Sequence, residues 1–410
     1  MKNLSGLLLL FAFTVMVKPV QAQTSTEMNN QGLVKYNSKD YKGAITDFNK
    51  AIELNVQNEK AWHNRGLAKY GLKDNDGAIQ DYNKAIELNP AYANAYNDRG
   101  LTKFRLKNYD GALQDYNKAI ESNPEYIIAY YNRGVIKAAL KDFAGAIKDF
   151  TKNLELKPGN AEAYTGRGSA KVNLKDNAGA VQDFNKAIEL NPASAVALLS
   201  RANARYALKD EDGALQDFNK VLVLQPNNSN VYFNVGAIYS SKNKSQEAIK
   251  AYRQYIALEP NEWHGYKNMA DIYYLQLANP DSSAFYYNKA WQIKKDDKEI
   301  MERYGYSLLK QKKINEAITM FKNQLALLPN DPWGYYNIAC AYSLGKQPAE
   351  AIANLSQALE KKMTDLGYWQ ADKCLDNVRL LEDFKNLVKK YFTKTELAKY
   401  PFLFSFAGRE

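Results

Sequence analysis

Small residues recur along this chain at intervals of 34, and this period constrains the fold more than any other feature. Glycine or alanine occupies ten positions in register, with one extra residue between the eighth and the ninth: Gly32, Gly66, Gly100, Gly134, Gly168, Ala202, Gly236, Ala270, Gly305 and Ala339. Such self-similarity indicates a chain built from stacked copies of one short unit. The length of 410 residues therefore does not imply two or three separate globular domains.

Each copy of the unit has the pattern of two helices. A second small residue follows twelve positions after the first, as at Ala78, and a large ring or Leu follows four positions later, as at Tyr82. Proline closes seven copies, where it ends the second helix. In residues 93–126 the pattern predicts helices over about 94–106 and 110–121, because paired small residues let two helices approach closely. Asp or Asn in the turn between them is expected to cap free amides.

These features resemble the tetratricopeptide repeat family, which also has an aromatic residue four positions before the small one, here Trp62, Tyr96, Tyr130 and Tyr164. The resemblance implies an all-α, right-handed superhelix (an α-solenoid) of ten helix–turn–helix repeats. The repeats span 25–58, 59–92, 93–126, 127–160, 161–194, 195–228, 229–262, 263–297, 298–331 and 332–365. A helical C-terminal cap is expected over 366–392, since Ala339–Leu344 with Asp372, Leu375, Arg379 and Phe384 is similar to the end of many bacterial members.

Residues 1–22 have the features of a secretory signal peptide. Lys2 precedes a short apolar run over 7–17, and Val20–Gln21–Ala22 offers small residues at the spacing of a cleavage site. We therefore expect cleavage after Ala22 and export of the protein to the periplasm or the medium; an uncleaved membrane anchor is the alternative. No later apolar run is long enough to span a membrane, so we expect no span in the mature chain.

The apolar tail, residues 393–410, contains the run YPFLFSF at 400–406. Such a run is unfavourable in water, because it exposes several large apolar side chains together. The tail is expected either to dock onto the last helices or to act as a partner-binding or self-association segment.

Composition excludes several functions. Two His and two Cys residues are too few for a disulfide framework, and His63 and His264 lie far apart without neighbouring ligands, so we expect no metal site. Cys340 and Cys374 either pair in an oxidising compartment or remain free thiols. The net charge of +10 is spread over the repeats and does not indicate nucleic-acid binding. Carboxylates recur with the repeats and none is singled out for catalysis, so the chain is interpreted as non-enzymatic and without cofactors.

Paired charges predict ion pairs within repeats two to six. Arg precedes the small residue and Asp follows sixteen positions later, which gives the pairs Arg65–Asp81, Arg99–Asp115, Arg133–Asp149, Arg167–Asp183 and Arg201–Asp217. Both positions lose their charge together in repeat seven, at Val235 and Ala251, so we expect them to be in contact. A half-buried charge without its partner costs about 3 to 5 kcal/mol. The alternative is that these charges lie separately on the solvated surface.

Asn recurs two positions before the small residue, on the helix side opposite to the packing residues. The candidate ligand-binding residues are Asn30, Asn64, Asp98, Asn132, Asn234, Asn268 and Asn337, and the series is interrupted by Gly166, Ser200 and Arg303. In tetratricopeptide proteins this face lines the concave groove, and a similar Asn ladder in the glycosyltransferase members holds an extended peptide by its backbone. A carboxamide can pair with any peptide unit, because it both donates and accepts hydrogen bonds. Local capping or plain surface is the alternative.

The function predicted from these features is a non-catalytic scaffold that holds a protein or an extended peptide, in the cell envelope or outside the cell. The alternative is a carbohydrate- or envelope-binding module that uses exposed rings of repeats eight to ten. The aromatic residues there are Trp263, Tyr266, Tyr273, Tyr274, Tyr286, Tyr287, Trp291, Trp333, Tyr335 and Tyr336. Most of them are expected to lie in the core. The identity of the partner does not follow from either interpretation.

Overall fold

The computed structural model of the protein describes residues 24–405. The expected signal peptide, residues 1–22, lies outside this range. The chain divides into two units, Met1–Leu224 and Gln225–Glu410. Throughout residues 24–405 every regular element is helical, so the all-α prediction is confirmed. None of the helices in this range has the length and apolar character needed to cross a membrane.

The first unit is a stack of helix pairs in which each helix packs against the next one along the chain. Its helices are α1 (24–37), α2 (Tyr41–Leu54), α3 (Glu59–Gly71), α4 (Asn75–Leu88), α5 (Ala93–Arg105), α6 (Tyr109–Ser122), α7 (Ile127–Ala139), α8 (Phe143–Leu156), α9 (Ala161–Asn173), α10 (Asn177–Leu190), α11 (Ala195–Ala207) and α12 (Glu211–Leu224). The odd-numbered helices, the first helices of the repeats, also contact one another from α3 to α11. They therefore form a continuous surface of this unit, which we call the first-helix face.

The second unit continues the same pattern and then ends in shorter elements. Its helices are α13 (Ser229–Ser241), α14 (Ser245–Leu258), α15 (Trp263–Asp271), α16 (Pro280–Ile293), α17 (Lys298–Lys310), α18 (Ile314–Leu327), α19 (Pro332–Leu344), α20 (Pro348–Glu360), α21 (Leu366–Ala371), α22 (Glu382–Tyr391) and α23 (Lys394–Leu397). A 3-10 turn, Lys373–Leu375, follows α21 and contacts α19.

The turn between the two helices of a repeat has a recurring structure. Lys73 adopts a left-handed conformation with φ of 65°, and the amide of Asp74 donates to the carbonyl of Lys69, which closes a Schellman motif at the end of α3. The carboxylate of Asp74 then accepts a hydrogen bond from the amide of Gly77 at 3.0 Å and caps α4. The same cap is made by Asp40, Asn108, Asp142, Asp176 and Asp210. The predicted capping role of these residues is confirmed.

The recurring small residues allow close helix packing. A Cβ atom added to Gly100 would lie 3.0 Å from the ring of Tyr116 and 3.3 Å from the carbonyl oxygen of Ala112. The two helices of this repeat, α5 and α6, begin and end within about one residue of the predicted bounds. The ring of each second helix is buried, as Phe48, Tyr82, Tyr116, Phe150, Phe184 and Phe218 show in the first unit.

The extra residue in repeat eight is accommodated by a change of helix type. After α15 the chain forms a π-helical segment, Ile272–Gln276, and the amide of Leu277 donates to the carbonyl of Ile272, five residues earlier. A π-turn holds one more residue than the corresponding α-turn, so the insertion is absorbed inside the first helix. The helix pairing of repeat eight is thereby preserved.

The C-terminal segments cover the last repeat with a compact apolar cluster. Trp369, Leu375, Phe384 and Val388 are buried against α19 and α20. Leu403 of the tail is fully buried in the same cluster, and its carbonyl accepts a hydrogen bond from the Arg379 guanidinium at 2.9 Å. Of the two alternatives for the tail, the described residues 400–405 therefore adopt the docked one.

Candidate functional site

The predicted Arg and Asp partners lie in contact in all five repeats. In repeat two, Arg65 Nε donates to Asp81 Oδ2 at 2.9 Å and Nη2 donates to Oδ1 at 2.7 Å. Repeats three to six show the same two-pronged arrangement, at 2.6 to 3.0 Å. A second cation, Lys69 in repeat two, reaches the same carboxylate at 2.8 Å. These groups are therefore occupied with one another.

Each of these Arg residues also joins neighbouring repeats. Nη1 of Arg65 donates to Asn49 Oδ1 of the preceding repeat at 2.7 Å. Arg99, Arg133 and Arg201 make the corresponding bond to Asn83, Asn117 and Asn185, and Arg167 makes it to Thr151. A guanidinium group has five donors in a rigid plane, so one side chain can bridge three helices in this way. The Asn partner is a part of the network that sequence reasoning missed.

Polar side chains of successive first helices form a network on the first-helix face. Asn64 donates to Asn29 Oδ1 at 2.9 Å, and Asn132 donates to Asn97 Oδ1 at 3.0 Å. Asn97 also donates to Asp98 at 3.0 Å. Each link between repeats joins residues 35 positions apart, one more than the period. Of the predicted ligand-binding residues, Asn64, Asp98 and Asn132 are thus held in place by their neighbours, while Asn30 is exposed.

The same register of 35 positions pairs His63 with Asp98, a carboxylate of the next repeat that the sequence does not place beside it. His63 is 5% exposed, and its Nε2 lies 2.6 Å from Asp98 Oδ2. The hydroxyl of Tyr92 lies 3.2 Å from Nδ1. Burial raises the pKa of Tyr92 to about 12. The pair is not evident in the sequence, because His63 and Asp98 belong to different repeats.

The network stops at Gly166, where an open pocket of about 360 Å³ takes its place. The hydrogen bonds of the preceding repeats join residues 35 positions apart, so the next pair would be Tyr131 and Gly166. Glycine has no side chain that could form such a bond. A Cβ atom at this position would lie 2.7 Å from Phe150, so the buried ring excludes a larger residue. The walls of the pocket include Tyr131, Glu162, Thr165, Ser169 and Val196. Burial and the nearby Glu162 raise the pKa of Tyr131, which keeps its phenol a hydrogen-bond donor.

In the second unit the predicted ligand-binding residues have different surroundings. Asn234 is half-buried, and Asn268 donates to the hydroxyl of Tyr252 at 3.1 Å. Asn337 is only 3% exposed, and its Oδ1 accepts a hydrogen bond from Tyr306 at 2.9 Å. The prediction that Asn337 faces a ligand was therefore wrong, because a ring of the preceding first helix takes its oxygen.

Arg303, which interrupts the Asn series, belongs to an ion cluster between α15 and α17. Lys267 Nζ lies 3.0 Å from Asp271 and 3.2 Å from Glu299, and Arg303 Nε lies 3.1 Å from Glu299. Burial tends to raise the pKa of Glu299, but the charges of Lys267 and Arg303 outweigh it and hold this pKa below its ordinary value. Burial likewise tends to lower the pKa of Lys267, and the carboxylates of Asp271 and Glu299 raise it overall.

The aromatic residues of repeats eight to ten are mostly covered. Tyr287 and Tyr336 are buried, whereas Trp333 is 38% exposed. The remaining seven of the ten are half-buried. Trp333 lies edge-to-face with Tyr368, which is 43% exposed, at a centroid distance of 4.9 Å. Among the described residues of the second unit, these two rings are in contact and both are exposed.

The two cysteines are free thiols that lie close together near the C-terminal cap. Cys340 on α19 is buried, and Cys374 lies in the 3-10 turn after α21. Their sulfur atoms and a carboxylate oxygen of Asp372 all lie within 4.8 Å of one another. Burial, followed by the hydrogen bond with Cys374 and the charge of Asp372, raises the pKa of the Cys340 thiol.

Comparison with known protein families agrees with the repeat pattern. A family model described as TPR repeat matches residues 32–73 and 69–107. Models described as tetratricopeptide repeat match residues 93–126, 127–160, 165–229, 218–250 and 334–360. Together these matches cover more than half of the chain.

Individual relatives and solved structures are similar to parts of this chain. The C-terminal part of a TPR repeat-containing protein from Cytophaga hutchinsonii is 18% identical, with a TM-score of 0.51 over 58% of this chain and 98% of that one. YrrB, described as a TPR protein with an unusual peptide-binding site, is 24% identical, with a TM-score of 0.42 over 44% of this chain and 94% of its own. Tetratricopeptide repeat protein 36 of Caenorhabditis elegans is 37% identical over 59 residues, which is 14% of this chain and 33% of that relative.

Proposed function

Since the chain belongs to the tetratricopeptide repeat family, whose stacked repeats build protein-interaction scaffolds, we propose that it holds an extended peptide along its first-helix face and catalyses no reaction. The observation that carries this proposal is the polar network of α1 to α7 together with the pocket at Gly166. The network presents oriented polar groups along successive repeats. The pocket follows it directly, since Tyr131 and Gly166 occupy the next positions of the same register.

The network supports backbone recognition because its carboxamides retain unused capacity. Each Asn has two N–H donors and an oxygen with two lone pairs. Asn132 uses one donor on Asn97, so its oxygen and its second N–H remain for a peptide unit. The bond to Asn97 also limits the rotation of the side chain, which reduces the entropy lost on binding. A ligand held in this way is recognised by its extended backbone, with little dependence on its sequence.

The pocket at Gly166 supports recognition of one side chain of that peptide. Its volume of about 360 Å³ is at the lower end of the range for ligand pockets. Hydroxyl groups of Thr165, Ser169 and Tyr131 are among its lining, and Val196 adds an exposed apolar edge. We expect a medium-sized polar or aromatic side chain to enter it.

A binding assay with peptides tests this proposal. The probes are fluorescent mixed-sequence peptides of increasing length with blocked ends, and binding to the full chain is followed by anisotropy. We expect affinity to rise with length and to fall about tenfold in the double variant Asn64→Ala/Asn132→Ala, since the loss of two modest hydrogen bonds corresponds to about 1.4 kcal/mol. The matched control is Asn227→Ala/Asn315→Ala, which changes two exposed carboxamides of the second unit. Equal affinities of both double variants, with unchanged helical content, would refute the proposal.

Carbohydrate or envelope binding through exposed rings is the second candidate function. The observation that favours it is the exposed pair Trp333–Tyr368, since sugar rings stack on such side chains. In the same assay, soluble oligosaccharides replace the peptides, and Trp333→Ala is compared with the double Asn variant. Loss of binding in Trp333→Ala alone favours the sugar, whereas loss in the Asn variant alone favours the peptide.

We further propose that the protein works outside the cytoplasm. The support is the sequence of residues 1–22, in which a lysine, a short apolar run and a small-residue site follow one another. Intact mass measurement of protein isolated from the native cells tests this. A chain that begins at Gln23 is the expected result, and a mature protein that retains residues 1–22 would contradict cleavage.

A further inference from the structure

The group of Cys340, Asp372 and Cys374 has the composition and spacing of a metal site. Cys340 belongs to the last repeat, whereas Asp372 and Cys374 belong to the cap, so the group joins two parts of the second unit. One ligand atom from each residue lies within 4.8 Å of the other two. We propose that these three side chains bind a single zinc ion that links the last repeat to the C-terminal cap.

The spacing of the ligand atoms fits one tetrahedral ion. Cys340 Sγ lies 3.6 Å from Asp372 Oδ2. Zinc binds thiolate sulfur at about 2.3 Å and carboxylate oxygen at about 2.0 to 2.2 Å, so a tetrahedral angle places the two atoms about 3.5 Å apart. Two sulfurs bound to the same zinc ion lie about 3.8 Å apart. The sulfur atoms of Cys340 and Cys374 lie within 4.8 Å of each other, which is compatible with this distance.

Hydrogen bonds fix the orientation of the Asp372 carboxylate. The amide of Cys374 donates to Asp372 Oδ1 at 2.8 Å. The hydroxyl of Tyr336 donates to Oδ2 at 2.7 Å, and this oxygen has a second lone pair for an ion. Outer-shell bonds of this kind orient metal-ligating carboxylates in proteins. The Arg379 guanidinium, itself fully buried, donates to the Asp372 carbonyl at 2.8 Å and holds the backbone of the turn.

The ligand types favour zinc over the hard divalent cations. On binding, the two cysteine thiols lose their protons to solvent and bind the ion as thiolates. Asp372 binds it as a carboxylate. Calcium and magnesium prefer sites made entirely of oxygen, whereas thiolates select zinc or other soft ions. The three protein ligands and zinc carry a net charge of −1. The buried Arg379 guanidinium, which also pairs with Asp376 at 3.2 Å, donates to the backbone carbonyl of Asp372. A water molecule takes the fourth position, on the half-exposed side of Cys374.

Cobalt titration of the reduced full chain tests the assignment, because cobalt(II) substitutes for zinc and shows a near-ultraviolet thiolate charge-transfer band. We expect the band to saturate at one equivalent of cobalt and to disappear on addition of zinc. Cys340→Ser and Cys374→Ser should abolish it, and Asp372→Asn, which keeps the turn, should weaken binding. Tyr336→Phe removes only an outer-shell bond, so we expect affinity about 10- to 100-fold lower. The matched control Asp383→Asn changes an exposed carboxylate of the cap and should bind normally.

Two further measurements separate metal binding from loss of folding. Zinc should raise the melting temperature of the wild-type chain and of Asp383→Asn, but not that of Cys374→Ser, whose circular dichroism should remain helical. Zinc should also protect both thiols of the wild-type chain from alkylation. Absence of the charge-transfer band and of thiol protection in the folded, reduced chain would overturn the proposal. Formation of a Cys340–Cys374 disulfide in air, together with no metal binding after reduction, would overturn it as well.

Discussion

The guanidinium group of Arg133 contacts both carboxylate oxygens of Asp149, with Nε 2.8 Å from Oδ2 and Nη2 2.6 Å from Oδ1. Lys137 Nζ lies 2.8 Å from the same Oδ2, and the Asp149 side chain is only 4% exposed. One buried anion is therefore held by two cations that each retain some contact with water. The corresponding residues of repeat seven, Val235, Tyr239 and Ala251, have no charge, which indicates that the three positions change as a group.

Loss of one member of this group should destabilise the chain more than loss of all three. We expect Arg133→Met to lower the free energy of unfolding by about 3 kcal/mol, because it leaves a buried carboxylate with half of its partners. The combined variant Arg133→Val/Lys137→Tyr/Asp149→Ala copies repeat seven and should recover part of the loss. Denaturant unfolding followed by circular dichroism measures both. A combined variant that is less stable than Arg133→Met would contradict the coupling.

Ala278 offers a site where glycine should stabilise the chain. It has φ of 46°, in the left-handed region, in the turn where other repeats place Lys or Asn. A non-glycine residue in this region is disfavoured by about 1 kcal/mol, so we expect Ala278→Gly to raise the free energy of unfolding by about this amount. The control is Ala353→Gly, at an exposed position inside α20, which should cost about 1 kcal/mol. Equal effects of both substitutions on thermal unfolding would argue against strain at Ala278.

Glu299 should contribute stability that depends on pH. Its pKa in the folded chain lies below its ordinary value, since Lys267 and Arg303 outweigh the effect of burial. Its stabilising contribution is therefore present above the unfolded pKa of about 4.3 and is lost as the pH falls through the lower folded pKa. Because the side chain is 48% exposed, we expect Glu299→Gln to cost less than about 1 kcal/mol at pH 7.

Denaturant unfolding at neutral pH and at a pH below the folded pKa measures this dependence. The difference between wild-type chain and Glu299→Gln should shrink on acidification, whereas the exposed Glu125→Gln should show no such change. A difference that stays constant over the whole range would show that Glu299 acts through packing rather than charge.

Arg379 should control the docking of the tail. It is fully buried and donates to the carbonyls of Leu403, Trp369 and Asp372, at 2.9, 3.1 and 2.8 Å. Arg379→Lys keeps the charge but lacks the planar fork that reaches all three oxygens, so we expect a loss of about 2 to 3 kcal/mol in cap stability. Limited chymotrypsin digestion should then cut near Phe402 much faster than in the control Arg253→Lys, whose arginine is exposed. Equal cleavage rates would contradict this role.

Much of the fold follows from residues that recur within each repeat. The spacing of Gly100, Ala112 and Tyr116 predicts both helices of their repeat, because small residues and rings act over a few turns of helix. The pairing of Arg133 with Asp149 is also visible in the sequence, since the repeats serve as an internal alignment. In the sequence, the π-turn at Ile272–Gln276 is visible only as one extra residue in repeat eight. The period does not show which helix contains this residue.

The candidate sites are less accessible to such reasoning. His63 and Asp98 belong to different repeats, and their contact depends on a register of 35 positions that the period of 34 does not suggest. Asn337 shares the spacing of Asn132 but is buried, because the side chains around it differ. A periodic pattern describes what the repeats have in common, whereas these contacts arise from what distinguishes them.

The order of glycine, alanine, aromatic and proline residues was therefore enough to predict an all-α repeat protein, because helix formation and the pairing of adjacent helices depend on neighbours close in the chain. Only the stacked structure shows that Cys340 meets Asp372 and Cys374, or that the pocket at Gly166 continues the polar network. Those relationships depend on how side chains of successive helices interlock, and that packing is decided by the whole set of contacting surfaces rather than by any local segment.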